Sequence, residues 1–210
     1  MGIALRFALI VGIIFTAAVL LFPYPIMRIF SPEKEVIEQG ARYLRVVAPS
    51  YLFMSITIIY LNIMRSVERV IISTVVYLVS LFLNIILNAI FIFGLLGCPA
   101  MGIAGAALGT TIARGAELAI VLLYSARNKV VRFRARDIFV RDKPLLSDFV
   151  RYSLPVTLNE LMWGAGISMN AVIIGHMGSS AVAANSVAQV TRNLATVVAF
   201  GIANAAAIMI

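Results

Sequence analysis

The chain has 210 residues, of which 62% are hydrophobic and only 12% charged. A water-soluble domain of this size carries about a quarter charged residues, so a soluble globular core is excluded. The formal net charge is +8, with eight of the 17 Lys and Arg in one connector, Arg127 to Arg151. That clustering reads as a membrane-sidedness signal, not a nucleic-acid patch.

One cysteine, Cys98, and one histidine, His176, exclude a disulfide framework and a Cys/His metal cluster. Met1-Gly2 opens like a myristoylation signal but has Arg6 where Ser or Thr is required. Phe7 to Phe22 could imitate a signal-peptide core. No small-x-small cleavage site follows it, only Phe22-Pro23-Tyr24-Pro25, so a retained helix is expected.

Six apolar stretches approach the ~20 residues that span a bilayer as helix. The first runs about Ile3 to Ile26, ending at Pro23 and Pro25. A charged connector follows, in which Ser31-Pro32-Glu33 resembles the start of a short interfacial helix. The second span covers about Val46 to Met64, with Pro49 near its first turn, and Arg65, Glu68 and Arg69 link it to the third, about Val70 to Leu96. A chargeless turn through Gly97-Cys98-Pro99 leads to the fourth, about Ile103 to Tyr124. The fifth runs about Phe149 to Ile174, and the sixth from about Ala181 to the last residue. That last run stops without a cap or basic flank, as an incomplete chain would.

Lys and Arg number ten in the even connectors and four in the odd ones, which places the even connectors in the cytoplasm. Within the basic connector, Val131 to Arg136 alternates as a strand would. An interfacial segment dipping Phe133, Ile138 and Phe139 toward lipid fits as well, and so does a solvated loop.

An ionisable group at mid-bilayer costs about 2.5–3.5 kcal/mol on insertion scales and is a functional candidate by default. Glu160 lies about ten residues into the fifth span, roughly 15 Å deep at 1.5 Å per residue. Thr157, Gly164 and Ser168 fall near it on one face, and Asn159 adjoins it. Burial would move such a carboxylate toward neutrality, suiting it to exchange a proton or accept a cation. The plainer alternative is an acid held neutral by Asn159 or by another helix.

Arg114 and Glu117, three apart, can form an intramembrane charge pair, read first as a structural pair nearer the cytoplasmic end. Arg192 can snorkel to the cytoplasmic surface. Asn84 and Asn88, one turn apart, and Asn170 and Gln189 are either interhelical glue or cavity lining. Met162, Trp163 and Met169 could supply an apolar, aromatic wall or simply pack. Gly105 and Gly109 form a GxxxG match that brings helix backbones close. No nucleophile elbow, phosphate loop or ligand-spaced histidine pair is present, so the chain is not read as an enzyme.

The stretch Pro99 to Arg114 resembles the signature around the sixth helix of the multidrug and toxic compound extrusion (MATE) transporters. Asn84 to Gly94 resembles the end of that family's fifth helix. Leu154 to Glu160, Gly175-His176-Met177-Gly178 and Ala183-Ala184 resemble its seventh helix and the turn into the eighth.

The resemblance implies an all-α, two-lobe transporter of twelve helices, of which this chain holds helices three to eight. Residues 1–126 would be four helices of the N-terminal lobe, 127–148 a basic cytoplasmic linker, and 149–210 the first two helices of the C-terminal lobe. It further implies export of organic, often cationic, compounds in exchange for Na+ or H+, with Glu160 the matching acidic residue. Cation and coupling ion would compete for that one carboxylate. No cofactor, metal or nucleic acid is expected; the partners are the lipid bilayer and a small organic cation, and the protein would be a plasma-membrane monomer. A lipid-linked precursor or polysaccharide flippase of the same superfamily is the first alternative, and a membrane scaffold without transport the second.

Overall fold

The computed structural model describes residues 2–128 and 143–209. Among them every regular element is helical: α1 (Gly2–Leu21), α2 (Pro23–Phe30), α3 (Lys34–Ser66), α4 (Val70–Phe93), α5 (Ile103–Arg127), α6 (Lys143–His176) and α7 (Ser179–Met209), with a short 3-10 turn at Leu95–Gly97. The segment carrying Phe133, Ile138 and Phe139, and most of the basic connector, lie outside the described residues.

The prolines redraw the ends expected from the sequence. Pro23 does not merely end the first span; it opens α2, where a missing N–H costs nothing because the first turn has no internal acceptor. Phe22, at φ −125° and ψ 45°, is the joint. The charged connector beyond it is not a separate interfacial helix. Lys34 onward forms the first turns of α3, one 33-residue helix, about 50 Å long at 1.5 Å per residue.

Pro49 therefore sits in the interior of α3. It cannot donate to the carbonyl of Arg45. The three carbonyls that follow each accept a hydroxyl: Val46 from Thr111 of α5 at 2.9 Å, Val47 from Ser50 at 2.7 Å, and Ala48 from Thr16 of α1 at 3.3 Å.

The buried centre lies where α3, α4 and α5 meet, at Tyr60, Leu61, Met64, Val76 and Val121. The GxxxG face seats α5 on α4. A Cβ at Gly105 would stand 2.5 Å from the carbonyl oxygen of Phe91, and one at Gly109 the same distance from Asn88 Oδ1. The turn between these helices uses Gly94 at φ 72°, a conformation glycine adopts freely.

Four helices, α1, α3, α4 and α5, are long and apolar enough to cross a membrane. The two further spans read from the sequence, α6 and α7, have 34 and 31 residues. Their length suffices, but Arg151, Asn159 and Glu160 on α6, and Asn185, Gln189, Arg192 and Asn193 on α7, dilute the apolar character. Such composition suits helices with one face turned to polar surroundings.

At its two ends α6 rests on the first two helices. Phe149 stacks on Phe7 with ring centroids 5.6 Å apart. Gly175 packs against the Phe30 carbonyl so tightly that no Cβ fits.

Candidate functional site

Two regions combine a cavity with polar side chains. The first is a seam between α4 and α5, near the middle of both helices. Glu117 is 1% exposed. Its Oε2 accepts from Arg114 Nη1 at 2.7 Å and from Ser80 Oγ of α4 at 3.1 Å. Its Oε1 has no hydrogen-bond partner among the described residues. Arg114, 35% exposed, pairs with Glu117 on one side and opens on the other into a cavity of about 310 Å³. That space is also walled by Tyr77, Ser80, Asn84 and Thr110.

The seam continues along α4. Asn84 Nδ2 donates to Thr110 Oγ1 at 3.3 Å, and Asn88 Nδ2 donates to Asn84 Oδ1 at 3.0 Å. Thr110 passes its own proton to the Ala106 carbonyl at 2.9 Å. The amides are thus connected between helices as well as exposed to a cavity; Asn84 does both, while Asn88 does not line that space.

Glu117 and Arg114 flank Gly115, the central residue of α5, so the pair sits at mid-helix. Two opposite charges 2.7 Å apart satisfy each other where burial of Glu117 alone would be costly.

The second region is an apolar cavity of about 620 Å³ between α1, α3 and α6. Phe7 and Phe15 of α1, Tyr51 and Met54 of α3, and Phe149 of α6 supply its larger side chains. Thr157 lines it too, which puts one of the three residues of the candidate acidic site on a cavity wall. Glu160 lies one helical turn beyond Thr157, exposed beside the exposed Asn159. Among the described residues Glu160 makes no hydrogen bond or ion pair, and α6 brings it to neither Asn84, Asn88 nor the Arg114–Glu117 pair.

Met162 and Trp163 are 76% and 66% exposed on α6, and Asn170, Gln189 and Arg192 are exposed on α6 and α7. These residues form no joint site with the α4–α5 seam. Ser80 and Thr110 escaped the sequence reading, and their only signal is a hydroxyl within an apolar helix. Glu33 escaped too; its Oε1 accepts the backbone N–H of Ser179 at the start of α7, at 3.2 Å.

Comparison with known proteins bears on this arrangement. The MatE family model matches residues 1–90. The probable multidrug resistance protein YoeA of Bacillus subtilis (strain 168) is 28% identical over 191 residues, covering 89% of this chain and 41% of YoeA. The multidrug export protein MepA of Staphylococcus aureus (strain N315) is 29% identical over 173 residues, covering 82% of this chain and 37% of MepA. The chain thus spans about two fifths of the length of these curated relatives.

Among solved structures, a MOP superfamily transporter from Pyrococcus furiosus superposes with a TM-score of 0.73 at 26% identity, over 93% of this chain and 44% of that one. Its description reports a binding pocket of reverse polarity that suggests a different function for that protein. An inward-facing multidrug resistance MATE family transporter shares the fold, with a TM-score of 0.62 at 24% identity over 72% of this chain and 34% of that one. In sequence and in fold, the chain matches a part of a MATE family transporter.

Proposed function

We propose that this chain is part of a secondary active transporter that exports organic, often cationic, compounds in exchange for Na+ or H+ by alternating access. The observation that carries this reading is the placement of α6. It carries Glu160 one turn from Thr157, and Thr157 walls the 620 Å³ apolar cavity. An acid beside an aromatic, apolar space is the chemistry a lipophilic cation needs: dispersion along its body and one opposite charge.

Coupling follows from competition. A carboxylate holding H+ or Na+ cannot also hold the cargo's positive charge, so each occupant favours a different access state. Thr157 and Asn159 would contribute oxygen ligands or hydrogen bonds around Glu160, and Trp163 and Met162 a polarisable surface. The protein acts in the plasma membrane with residues 127–148 in the cytoplasm, as the distribution of Lys and Arg supports.

The relatives described as multidrug export and resistance proteins support the efflux direction. A flippase remains the second reading because Arg114, half open to a cavity at mid-helix, offers the charge that a phosphate-bearing lipid precursor requires.

The test is accumulation of a fluorescent organic cation in cells carrying the full-length gene, with Glu160→Gln beside the unmodified form. Export by the unmodified protein and accumulation in the variant are expected. Equal accumulation in both would remove the role given to Glu160.

A further inference from the structure

We propose that the cavity beside Arg114 is a binding site for a small organic anion, separate from the acidic region on α6. A guanidinium carries five N–H groups. Arg114 directs Nη1 to Glu117 at 2.7 Å, and no other partner for it exists among the described residues. The residue lines the 310 Å³ cavity.

The neighbouring polar side chains bond to one another and not to that guanidinium. The Ser80 hydroxyl already donates to Glu117 Oε2, and the Thr110 hydroxyl to the Ala106 carbonyl. Asn84 Oδ1 accepts from Asn88. Arg114 is the one charged residue lining the space among the described residues. No carboxylate lines the cavity among the described residues.

Charge points the same way. Arg65 lies over the ring of Tyr77 with its guanidinium carbon 5.5 Å from the centroid, and Tyr77 walls the cavity. Arg114 and Arg65 together outweigh Glu117, whose carboxylate stands behind Arg114 and is 1% exposed. Glu117 with Ser80 therefore acts as a positioning group that fixes the orientation of the guanidinium. A planar fork held this way matches a carboxylate or a phosphate ester in bidentate fashion and offers nothing to an ammonium. At 310 Å³ the space is at the small end of ligand cavities.

The site requires no transport activity, so its test stands apart from the export assay. Full-length protein in phosphatidylcholine nanodiscs is titrated with benzoate, and with benzylammonium and benzamide as probes of the same shape. Saturable benzoate binding is expected, with benzylammonium at least tenfold weaker and benzamide between them. The paired change Arg114→Gln with Glu117→Gln removes both charges without stranding either and should weaken benzoate at least tenfold. Arg114→Lys, which keeps charge but loses the fork, should weaken it severalfold.

Repeating the titration in phosphatidylglycerol nanodiscs separates the two sources of such an anion. Competition by the lipid identifies a lipid phosphate as the occupant, and its absence a water-soluble organic anion. Benzylammonium binding as tightly as benzoate, or benzoate binding unchanged in the paired variant, would overturn the proposal. Since those comparisons are made within folded protein, misfolding of a single variant does not decide the outcome.

Discussion

Glu33 accepts the backbone N–H of Ser179 at 3.2 Å, across a separation of 146 residues, so the first turn of α7 is held by a carboxylate from the α2–α3 joint. The unpaired N–H groups and the positive end of the helix dipole both favour an acid there. With the Phe30–Gly175 contact beside it, this is where α2 and α3 hold the α6–α7 turn. Glu33→Ala should cost about 1 kcal/mol, in the range of a lost cap. Amide hydrogen exchange of residues 178–182 measures it, and unchanged protection would show that the contact holds nothing.

Glu117 is expected to be the most sensitive charged position in the described helices. Glu117→Ala leaves Arg114 in the α4–α5 seam without its counter-ion and strands the Ser80 hydroxyl. Breaking a buried pair from one side costs about 3–5 kcal/mol, and the 35% exposure of Arg114 favours the lower end. Replacing both charges together with apolar residues should restore most of the loss. Thermal unfolding of the three variants in detergent makes the comparison.

Two glycines of α5 differ in the space around them: Gly105 faces α4 and Gly115 faces α3. Gly105→Val would drive its side chain into the Phe91 backbone, 2.5 Å from where a Cβ would stand. Gly115 has only the flexible Phe53 ring, at 3.8 Å. We expect Gly105→Val to destabilise by 2 kcal/mol or more, about the range of core overpacking. Gly115→Ala should be neutral or stabilising by up to about 1 kcal/mol. Melting temperatures would reverse the account if the two variants behaved alike.

Thr16 of α1 and Thr111 of α5 bond to carbonyls of α3 in the turn before Pro49. Each hydroxyl-to-carbonyl bond inside a membrane is worth about 0.6–1.7 kcal/mol. Thr16→Val with Thr111→Val should therefore lower stability by about 1–3 kcal/mol, and electron spin distances between the outer ends of α1 and α5 should broaden. A sharp, unshifted distance would mean that the turn around Pro49 is held within α3 alone.

The all-helical architecture was legible because membrane spans repeat one physical requirement, an apolar stretch long enough to cross lipid. The close packing of α5 was legible in Gly105 and Gly109 for a similar reason, since small residues at that spacing serve one purpose. The unbroken length of α3 was less so. Lys34, Glu38 and Arg42 recur every four residues, a helical spacing, but their charges suggested a short interfacial helix separate from the span that follows.

Ser80 was illegible as a partner of Glu117 because 37 positions separate them and only helix packing decides which serine faces which acid. The opening of Arg114 to a cavity depends likewise on the gap between two helices. Glu160 was visible from composition and depth, yet its neighbours belong to the arrangement of helices around α6 and not to local sequence.

The central claim is that Glu160 exchanges a coupling ion for an organic cation. The most direct measurement is efflux of a fluorescent cation from proteoliposomes holding the full-length protein, driven in turn by an imposed proton and an imposed sodium gradient. One of the two gradients should drive transport, and Glu160→Gln should lower the driven rate at least tenfold. Equal driven rates in the two proteins would contradict it.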